Sequence, residues 1–527
     1  MNESLPCARN QHAYRPRHST VTALLPIATK VAIGFNAPKP PLHTAMVNLD
    51  IAKAFDVVSH DLLLEMVSNS ELNSNLVRWL KTYMRGRTAV CLFQGAISRS
   101  LKCHSGTPQG GVISPKIFNY YVSDFPNVAE QDDSYADDFD LLETSSNVDE
   151  LGPRLTEDLV HVSEWAKKKE LTIAPSKSSV TLFTPDKHQS NYCPVVTYEG
   201  VPIPLKTDIK YLGLNFNKHG AYSSHTGTID TKIQSRHQLL KATSGQDWGD
   251  KEVLRSTYKS FIKPVITYAA PVYFPSMGPK HSAIAKLQRS QNAVMRTITG
   301  AYKNSSTNHL LAEAELLSVS ESLELSCRQF LVSVLRVNHP SHLTVNLSTG
   351  QRIGRKGGIV HTLQSRYRES VEHYLTDGVV PEAEYKKIIK DIHTKTVDTS
   401  KKSLINNVLG GLPPAIHLSE RSLPRLSRRT LCQLREDRCI GLETFKHKIG
   451  TAPDDLCPLC HNDSHISQHL FDCPASPTNL NFHDLWKRPR EAVNFLRTLD
   501  FFNHLPPNPP YPRPPAEPPP ATSGVLD

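Results

Sequence analysis

Three aspartates carry the strongest chemical signal in the chain: Asp50, and the adjacent pair Asp137 and Asp138. Asp50 sits in "AMVNLDI", where Val47, Leu49 and Ile51 alternate with Asn48 and Asp50. A strand with that alternation places its aliphatic side chains on one face and its carboxylate on the other. "SYADDFDLL" predicts two short strands around a tight turn, with Asp137 and Asp138 as turn formers between aromatic and aliphatic residues. Carboxylates on rigid neighbouring strands suit two hard divalent cations about 3.5–4 Å apart, the arrangement that phosphoryl transfer to a 3′-hydroxyl asks for. The alternative is a polar hairpin turn, the commoner meaning of an isolated Asp-Asp pair.

A second constellation lies in "CPLCHNDSHISQHLFDC", where Cys457 and Cys460 are followed by His469 and Cys473. Two thiolates on a tight turn, with a histidine and a thiolate on a following helix, make a closed tetrahedral Zn2+ site. His465 is the runner-up ligand and His461 lies too close to Cys460 to serve. The alternative is a set of reduced cysteines in a His-rich surface loop. The remaining seven of the ten cysteines are scattered singly, a pattern that suits a reducing compartment.

The elements that must position these groups read as strand, helices at about 60–68 and 73–84, a strand near 88–94, the Gly-rich "SGTPQGGVISP", the Asp-Asp hairpin, and a helix. Asn147 and Glu150 cap that helix, whose apolar stripe includes Leu151, Leu155, Leu159 and Val162. Strands near 179–183 and 209–216 complete an α+β order. From about 226 the period is helical, with Ile229 and Ile233 on one side and Lys232, Arg236 and Lys241 on the other. Further helices are predicted at about 250–270, 279–299 and 319–337, and "RSLPRLSRR" at 421–429 is a dense basic run. The prolines from Pro506 to Pro520 preclude a packed core and predict an extended, disordered end.

At 527 residues the chain is long enough for two to four domains. Its formal charge of +9, from 60 Lys and Arg against 51 Asp and Glu, is compatible with a polyanionic partner without demanding one. No stretch reaches the ~18 apolar residues of a membrane helix. An intracellular, soluble protein is expected.

"QHAYRPRHST", "LDIAKAFD", "SGTPQGGVISP", "YADD", "APSKSSVTLF" and "KYLGLNF" occur in that order. As a set they resemble the motif series of reverse transcriptases over residues 10 to about 217. "YKSFIKPVITYAAPVY" and "LQRSQNAVMRTITG" resemble the helical region after the palm in jockey-like non-LTR retrotransposons. The resemblance implies a right-hand polymerase: partial fingers and palm over 1–225, helical thumb and connection over 226–340, a basic helical region over 341–450, a CCHC-type zinc knuckle over 451–480 and a Pro-rich disordered tail over 505–527.

Residue by residue, the resemblance makes Asp50 and Asp137 the principal Mg2+ ligands, with Asp138 completing the cluster and the Ile51 carbonyl an extra ligand. Phe55 matches the gate beneath the sugar, and Gln109 with Gly110 and Gly111 the loop against which nucleotide and template lie. Lys177 matches a lysine placed to protonate departing pyrophosphate. Gly213 falls in the primer-grip segment, and Arg15, with Arg17 as the lesser candidate, in the segment that meets the triphosphate. Three positions depart from the pattern: Ala174 replaces a usual Asn, "GLNFN" replaces a usual acidic ending, and three rather than four residues separate His469 from Cys473.

The resulting expectation is an RNA-directed DNA polymerase serving retrotransposition. It would use two Mg2+ ions and one Zn2+, act on an RNA template, a DNA primer end and deoxynucleoside triphosphates, and reside in a cytoplasmic ribonucleoprotein and the nucleus. Its rival is a retroelement remnant that only binds nucleic acid. The 49 residues before Asp50 give the expectation of shortened fingers and no endonuclease.

Overall fold

A four-stranded antiparallel sheet of order β6-β7-β1-β8 organises the first half of the chain: β1 (His43–Asp50), β6 (Gln131–Tyr135), β7 (Asp138–Ser145) and β8 (Ser179–Phe183). These elements belong to a computed structural model that describes residues 5, 7–8, 10–38, 40–129, 131–186, 188–189, 191–245, 249–336 and 359–509. Most of the Pro-rich tail, residues 510–527, lies outside the described residues. Period-2 alternation does what it predicts. Val47, Leu49, Phe139 and Leu141 enter one core with Leu155, Leu159 and Val162 of α5 (Leu151–Lys168), while Asn48 and Asp50 take the opposite, half-buried face.

α1 (Thr20–Asn36) starts on a capping box, in which the Ser19 hydroxyl accepts from the Thr22 amide and the Thr22 hydroxyl accepts from the Ser19 amide. α2 (His60–Ser68) and α3 (Ser74–Met84) follow β1. The strand expected near 88–94 is two short ribbons. β2 (Thr88–Ala89) pairs with β5 (Leu101–Lys102), and β3 (Leu92–Phe93) pairs with β4 (Ala96–Ile97) across Gln94 and Gly95, both at positive φ. α4 (Ser114–Tyr121) then leads into the Asp-Asp hairpin.

The cap before α5 also differs from expectation. Asn147 caps a single 3-10 turn, Val148–Glu150, and Glu150 accepts from the Ser145 hydroxyl instead of returning to the Asn147 amide, which Ser145 itself satisfies. After β9 (Thr197–Tyr198) and β10 (Val201–Pro202), the segment expected as one strand at 209–216 is a hairpin of β11 (Asp208–Tyr211) and β12 (Leu214–Asn217). Leu212 and Gly213, both at positive φ, reverse the chain between them.

The described chain divides into two compact units. The first holds residues up to His225 together with Ala269–Gly278 and Ser326–Ile389; the second holds Thr226–Tyr268, Pro279–Leu325 and the chain from Lys390 onward. The helical segments 226–340 and 341–450 are thus each divided between units. The helix expected at 250–270 is broken. Lys251–Thr257 passes through a π turn, Tyr258–Ile262, into Lys263–Thr267, because Pro264 cannot donate to the carbonyl four residues back.

The basic run at 421–429 is largely internal to the second unit. Arg425 is buried and donates to the carbonyls of Gly245, Gly249 and Thr297, the last an otherwise orphaned acceptor at a helix C-terminus. Arg428 is buried against Asp250 at 2.8 Å. Beyond the run, fully buried Arg435 meets Glu313 at 3.0 Å and also pairs with Glu420, and Lys251 reaches Glu420 at 3.4 Å. Cation-rich spacing here encodes carbonyl capping and a buried ion network rather than a solvated strip.

Candidate active site and metal centre

Antiparallel register places Asp50 directly opposite Asp138, so the two carboxylates leave the sheet on the same face, with Asp137 one residue earlier in the turn. All three are half-buried, and none makes an ion pair among the described residues. Burial, then the negative charges of Asp137 and Asp50, push the Asp138 carboxyl up to about 6. Burial and the charge of Asp50 likewise raise Asp137. Crowded, partly desolvated carboxylates without a cation are unfavourable as they stand, and divalent cations would relieve that repulsion. The donor set, oxygen only, fits Mg2+.

One row back on the same face, Asp140 faces Asn48 and Asp133 across the sheet and accepts from the Asn48 side-chain amide at 2.8 Å. It is wholly buried, and burial pushes its carboxyl well up. Beyond β1 the chain stays tied to the site. The Asp50 amide donates to the Ser178 hydroxyl at 3.1 Å, the Ala174 amide donates to the Asp50 carbonyl at 2.9 Å, and Ile51 bridges Ile173. The departure at Ala174 leaves this linkage in place, because it runs through main chain. Lys177 is exposed on the same turn, one residue before Ser178.

Phe55 is half-buried and its ring packs on Phe118 at 4.5 Å between centroids. The Gly-rich loop docks against the turn that follows β1. Thr107 donates to the Phe55 carbonyl at 2.8 Å, and the Gln109 side chain donates to Asp56 at 2.7 Å. Gly106 has φ +85°, and a Cβ there would lie 2.8 Å from the Asp56 carbonyl oxygen, so only glycine allows this approach. Gly110 also has positive φ, +81°, with open space around it.

Arg15 is not directed at the aspartates by any of its described bonds. Its guanidinium donates to the carbonyls of Ala8 at 3.0 Å and Gln11 at 2.8 Å, holding the N-terminal loop. Arg17 pairs with Glu382 at 3.3 Å. Gly213 occupies the reversal of the β11–β12 hairpin, and Tyr211 beside it is buried against Asp140.

Sequence reasoning missed Gln11. Its side chain is buried, accepts from the Ala136 amide at 2.8 Å and from the Ala13 amide at 2.9 Å, and donates to the Ala136 carbonyl at 3.1 Å. Ala136 is held in the left-handed region at φ 60°, one residue before Asp137. The amide therefore fixes both polar groups of the strained residue that aims the turn. Its sequence signal was only a glutamine four residues before an arginine in the N-terminal motif.

In the second unit Cys457, Cys460, His469 and Cys473 converge, with one ligand atom from each within 4.8 Å of the others. Cys457 and Cys473 sulfurs are 3.9 Å apart, and Cys460 sulfur lies 3.4 Å from His469 Nε2. A tetrahedral Zn2+ with bonds of ~2.3 Å to sulfur and ~2.0 Å to nitrogen has edges of about 3.5–3.8 Å, so the donor set fits zinc. Backbone amides of Asn462 and Asp463 hold the half-buried Cys460 thiol down at about 6, favouring the thiolate. His465 is outside the cluster. It is fully buried, and its Nδ1 accepts from the Glu443 amide at 3.0 Å. The knuckle is also not a separate module, since Leu470 and Phe471 enter a core with Leu431, Phe445, Trp486, Val493 and Phe502.

Comparison with known proteins agrees with this geometry. The family described as reverse transcriptase (RNA-dependent DNA polymerase) matches residues 5–216. A probable RNA-directed DNA polymerase from transposon X-element of Drosophila melanogaster is 27% identical over 301 residues, 55% of this chain and 32% of that protein. The RNA-directed DNA polymerase from mobile element jockey of Drosophila funebris is 27% identical over 304 residues, with the same coverages of 55% and 32%. A probable RNA-directed DNA polymerase from transposon BS of Drosophila melanogaster is 25% identical over 363 residues, 66% of this chain and 39% of that protein. The chain thus spans about a third of the length of the curated relatives it matches. Residues 5–216, which carry the facing aspartates and the loop docked beside them, match the reverse transcriptase family, and the relatives are of the jockey and X-element type.

Proposed function

We propose that this chain is an RNA-directed DNA polymerase that adds deoxynucleotides to a primer 3′-hydroxyl by two-metal phosphoryl transfer, in the service of retrotransposition. The observation that carries the reading is the register of Asp50 against Asp138, with Asp137 in the intervening turn. When bound, two Mg2+ ions would activate the attacking hydroxyl and neutralise the pyrophosphate. Asp50, Asp137 and Asp138 would hold them, with the Ile51 carbonyl as a further donor. Phe55, braced by Phe118, sits five residues after Asp50, where it would pack beneath the deoxyribose. Gln109 and the open Gly110 would line the nucleotide and template side. Exposed Lys177 would deliver a proton to the leaving group. Cys457, Cys460, His469 and Cys473 would hold one Zn2+ with a structural role.

RNA template, DNA primer or target, and deoxynucleoside triphosphates are the proposed partners, met in a cytoplasmic ribonucleoprotein and the nucleus. Primer extension on poly(rA)/oligo(dT) with Mg2+ tests the reading, and absence of incorporation under conditions where the chain binds that substrate would refute it. The bonds of Arg15 to its own loop favour a second reading, a chain that binds nucleic acid with little turnover. It predicts that binding without incorporation.

A further inference from the structure

From Leu72 to Ser123 the chain has seven Lys and Arg and no Asp or Glu over 52 residues. This stretch builds α3, the β2–β5 ribbons and the Gly-rich loop, all in the first unit. Among the described residues, Arg78, Lys81, Arg85, Arg87, Arg99 and Lys102 make no ion pair. Their surface is also unusually apolar for one so basic. Leu92, Phe93 and Ile97 are exposed, and Val112 is 90% exposed.

Within this surface the flat groups are ordered. Trp79, 43% exposed, stacks on Tyr83 at 5.1 Å with an interplanar angle of 14°. The Arg87 guanidinium lies over the other end of the series, 4.8 Å from the Tyr83 ring centroid. Spacing of four residues along α3 and just beyond it creates the ladder. It leads to the polymerase loop, since a Cβ on Gly111 would lie 3.2 Å from the Tyr83 hydroxyl.

We infer that this face is a track for single-stranded nucleic acid, the unpaired template strand, with Trp79 as a base-stacking platform. The inference rests on the polymerase reading for the identity of the strand. Its chemistry stands on the ladder and the charge. Unpaired bases stack on exposed aromatic rings whatever their sequence, and adjacent cations follow the phosphates. A paired duplex offers no free base face to Trp79. A second copy of this basic chain would bring no excess of negative charge, and an acidic protein face would meet the cations without supplying flat bases for the ladder. The exposed aliphatic side chains of the ribbon then have a use, as apolar contact for bases beyond the ladder.

Binding of the full chain to a DNA primer on an RNA template separates these cases, using one blunt duplex and one with a single-stranded 5′ template extension of about ten nucleotides. The wild type is expected to bind the extended form more tightly. Trp79→Ala should remove about ten-fold of that affinity and leave blunt binding unchanged, whereas Trp79→Phe should retain most of it. Arg85→Gln with Arg87→Gln should flatten the salt dependence of extended-substrate binding by about 0.7 in log–log slope per lost contact. The inference is overturned if Trp79→Ala leaves the extension-dependent gain intact or weakens both substrates alike. It is also overturned if the wild type sediments as a dimer that Trp79→Ala converts to monomer. Tight, Trp79-dependent binding by a wild type that fails to extend the primer would sink the polymerase reading while supporting the track.

Discussion

The aspartate site of the first unit and the Cys/His site of the second are assembled on different plans. Asp50 meets Asp138 across 88 residues of chain, on strands already held by Val47, Leu49, Phe139 and Leu141. Cys457 to Cys473 span 17 residues, in a segment with one four-residue helix, His469–Asp472. The strands of the first site are held by an apolar core, so the cations proposed for it would serve chemistry. In the second, the ligands alternate with core residues such as Leu470 and Phe471, so its ion would serve the fold.

The largest effect should come from the first site. Asp50→Asn or Asp137→Asn is expected to lower incorporation by roughly a thousand-fold, the several kcal/mol that an ionic metal contact supplies. Thermal stability and primer-template affinity should stay nearly constant, and Asp138→Asn should be less severe. Affinity that falls in step with activity would mean that the aspartates are not metal ligands.

The second site should answer in the opposite way. Elemental analysis should find about one zinc per chain, lost in Cys460→Ser, and chelation should lower the melting temperature of the second unit because metal binding free energy is folding free energy there. Equal zinc content in wild type and variant would remove the site. EDTA applied to the first site should stop incorporation, and the fall in melting temperature there should be smaller than at the second site.

How far each site could be read from sequence follows the same division. The four converging Cys and His side chains are local in sequence, so spacing pointed to them as a set, and the fold was needed to tell His469 from His465. His465 proves to be occupied with the Glu443 amide. The aspartates were legible because period-2 alternation and turn chemistry survive in one dimension, as did the helix stripe of Leu151, Leu155 and Leu159. Gln11 was not legible, since its partner Ala136 is 125 residues away and bonded through main chain. The role of the basic run at 421–429 was illegible for a related reason: arginines that cap carbonyls, such as Arg425, look in sequence like arginines that meet phosphate. Ribbons of two-residue strands such as β2 and β5 are too short for periodicity to resolve.

Gln11 offers a test of how far the first site depends on its support. Gln11→Ala leaves the Ala136 amide and carbonyl without their partners, and each neutral hydrogen bond contributes about 1 kcal/mol. A fall of about ten-fold in kcat is expected, with a raised Mg2+ requirement and a nucleotide KM within about two-fold of wild type. An unchanged Mg2+ titration would reduce Gln11 to a fold residue.

Acidity gives a further contrast. The Asp138 carboxyl is raised to about 6, so the metal-free folded state holds its proton more tightly than the unfolded chain does. That contribution to stability is present below the ordinary carboxylate value and is lost as pH rises through about 6. In EDTA, melting temperature should therefore decline between pH 4 and pH 6.5 in the wild type more than in Asp138→Asn, and Mg2+ should restore more stability at pH 7 than at pH 5. Parallel pH profiles for the two proteins would show that neither burial nor its neighbours raise the Asp138 carboxyl in the folded state.

The smallest effect concerns sugar choice at Phe55, which lies on the boundary between scaffold and site. Its ring is half-buried and already paired with Phe118 at 4.5 Å, so truncation has two separable consequences. Loss of packing acts on both nucleotide types and lowers stability, by less than the 3–5 kcal/mol of a fully buried phenylalanine because part of the ring is exposed. Loss of bulk beneath the sugar acts only on the nucleotide that carries a 2′-hydroxyl, by removing a clash that favoured the deoxyribose. Phe55→Ala should thus raise the ratio of ribonucleotide to deoxyribonucleotide incorporation by roughly ten-fold, the value of about 1.4 kcal/mol of relieved repulsion. Single-turnover competition between the two triphosphates reads that ratio independently of how much active enzyme survives. Phe118→Ala is the control, because it weakens the same aromatic pair from the core side. If both variants shift the ratio equally, discrimination comes from rigidity of the turn after β1, and if neither shifts it, Phe55 is a core residue that happens to follow Asp50.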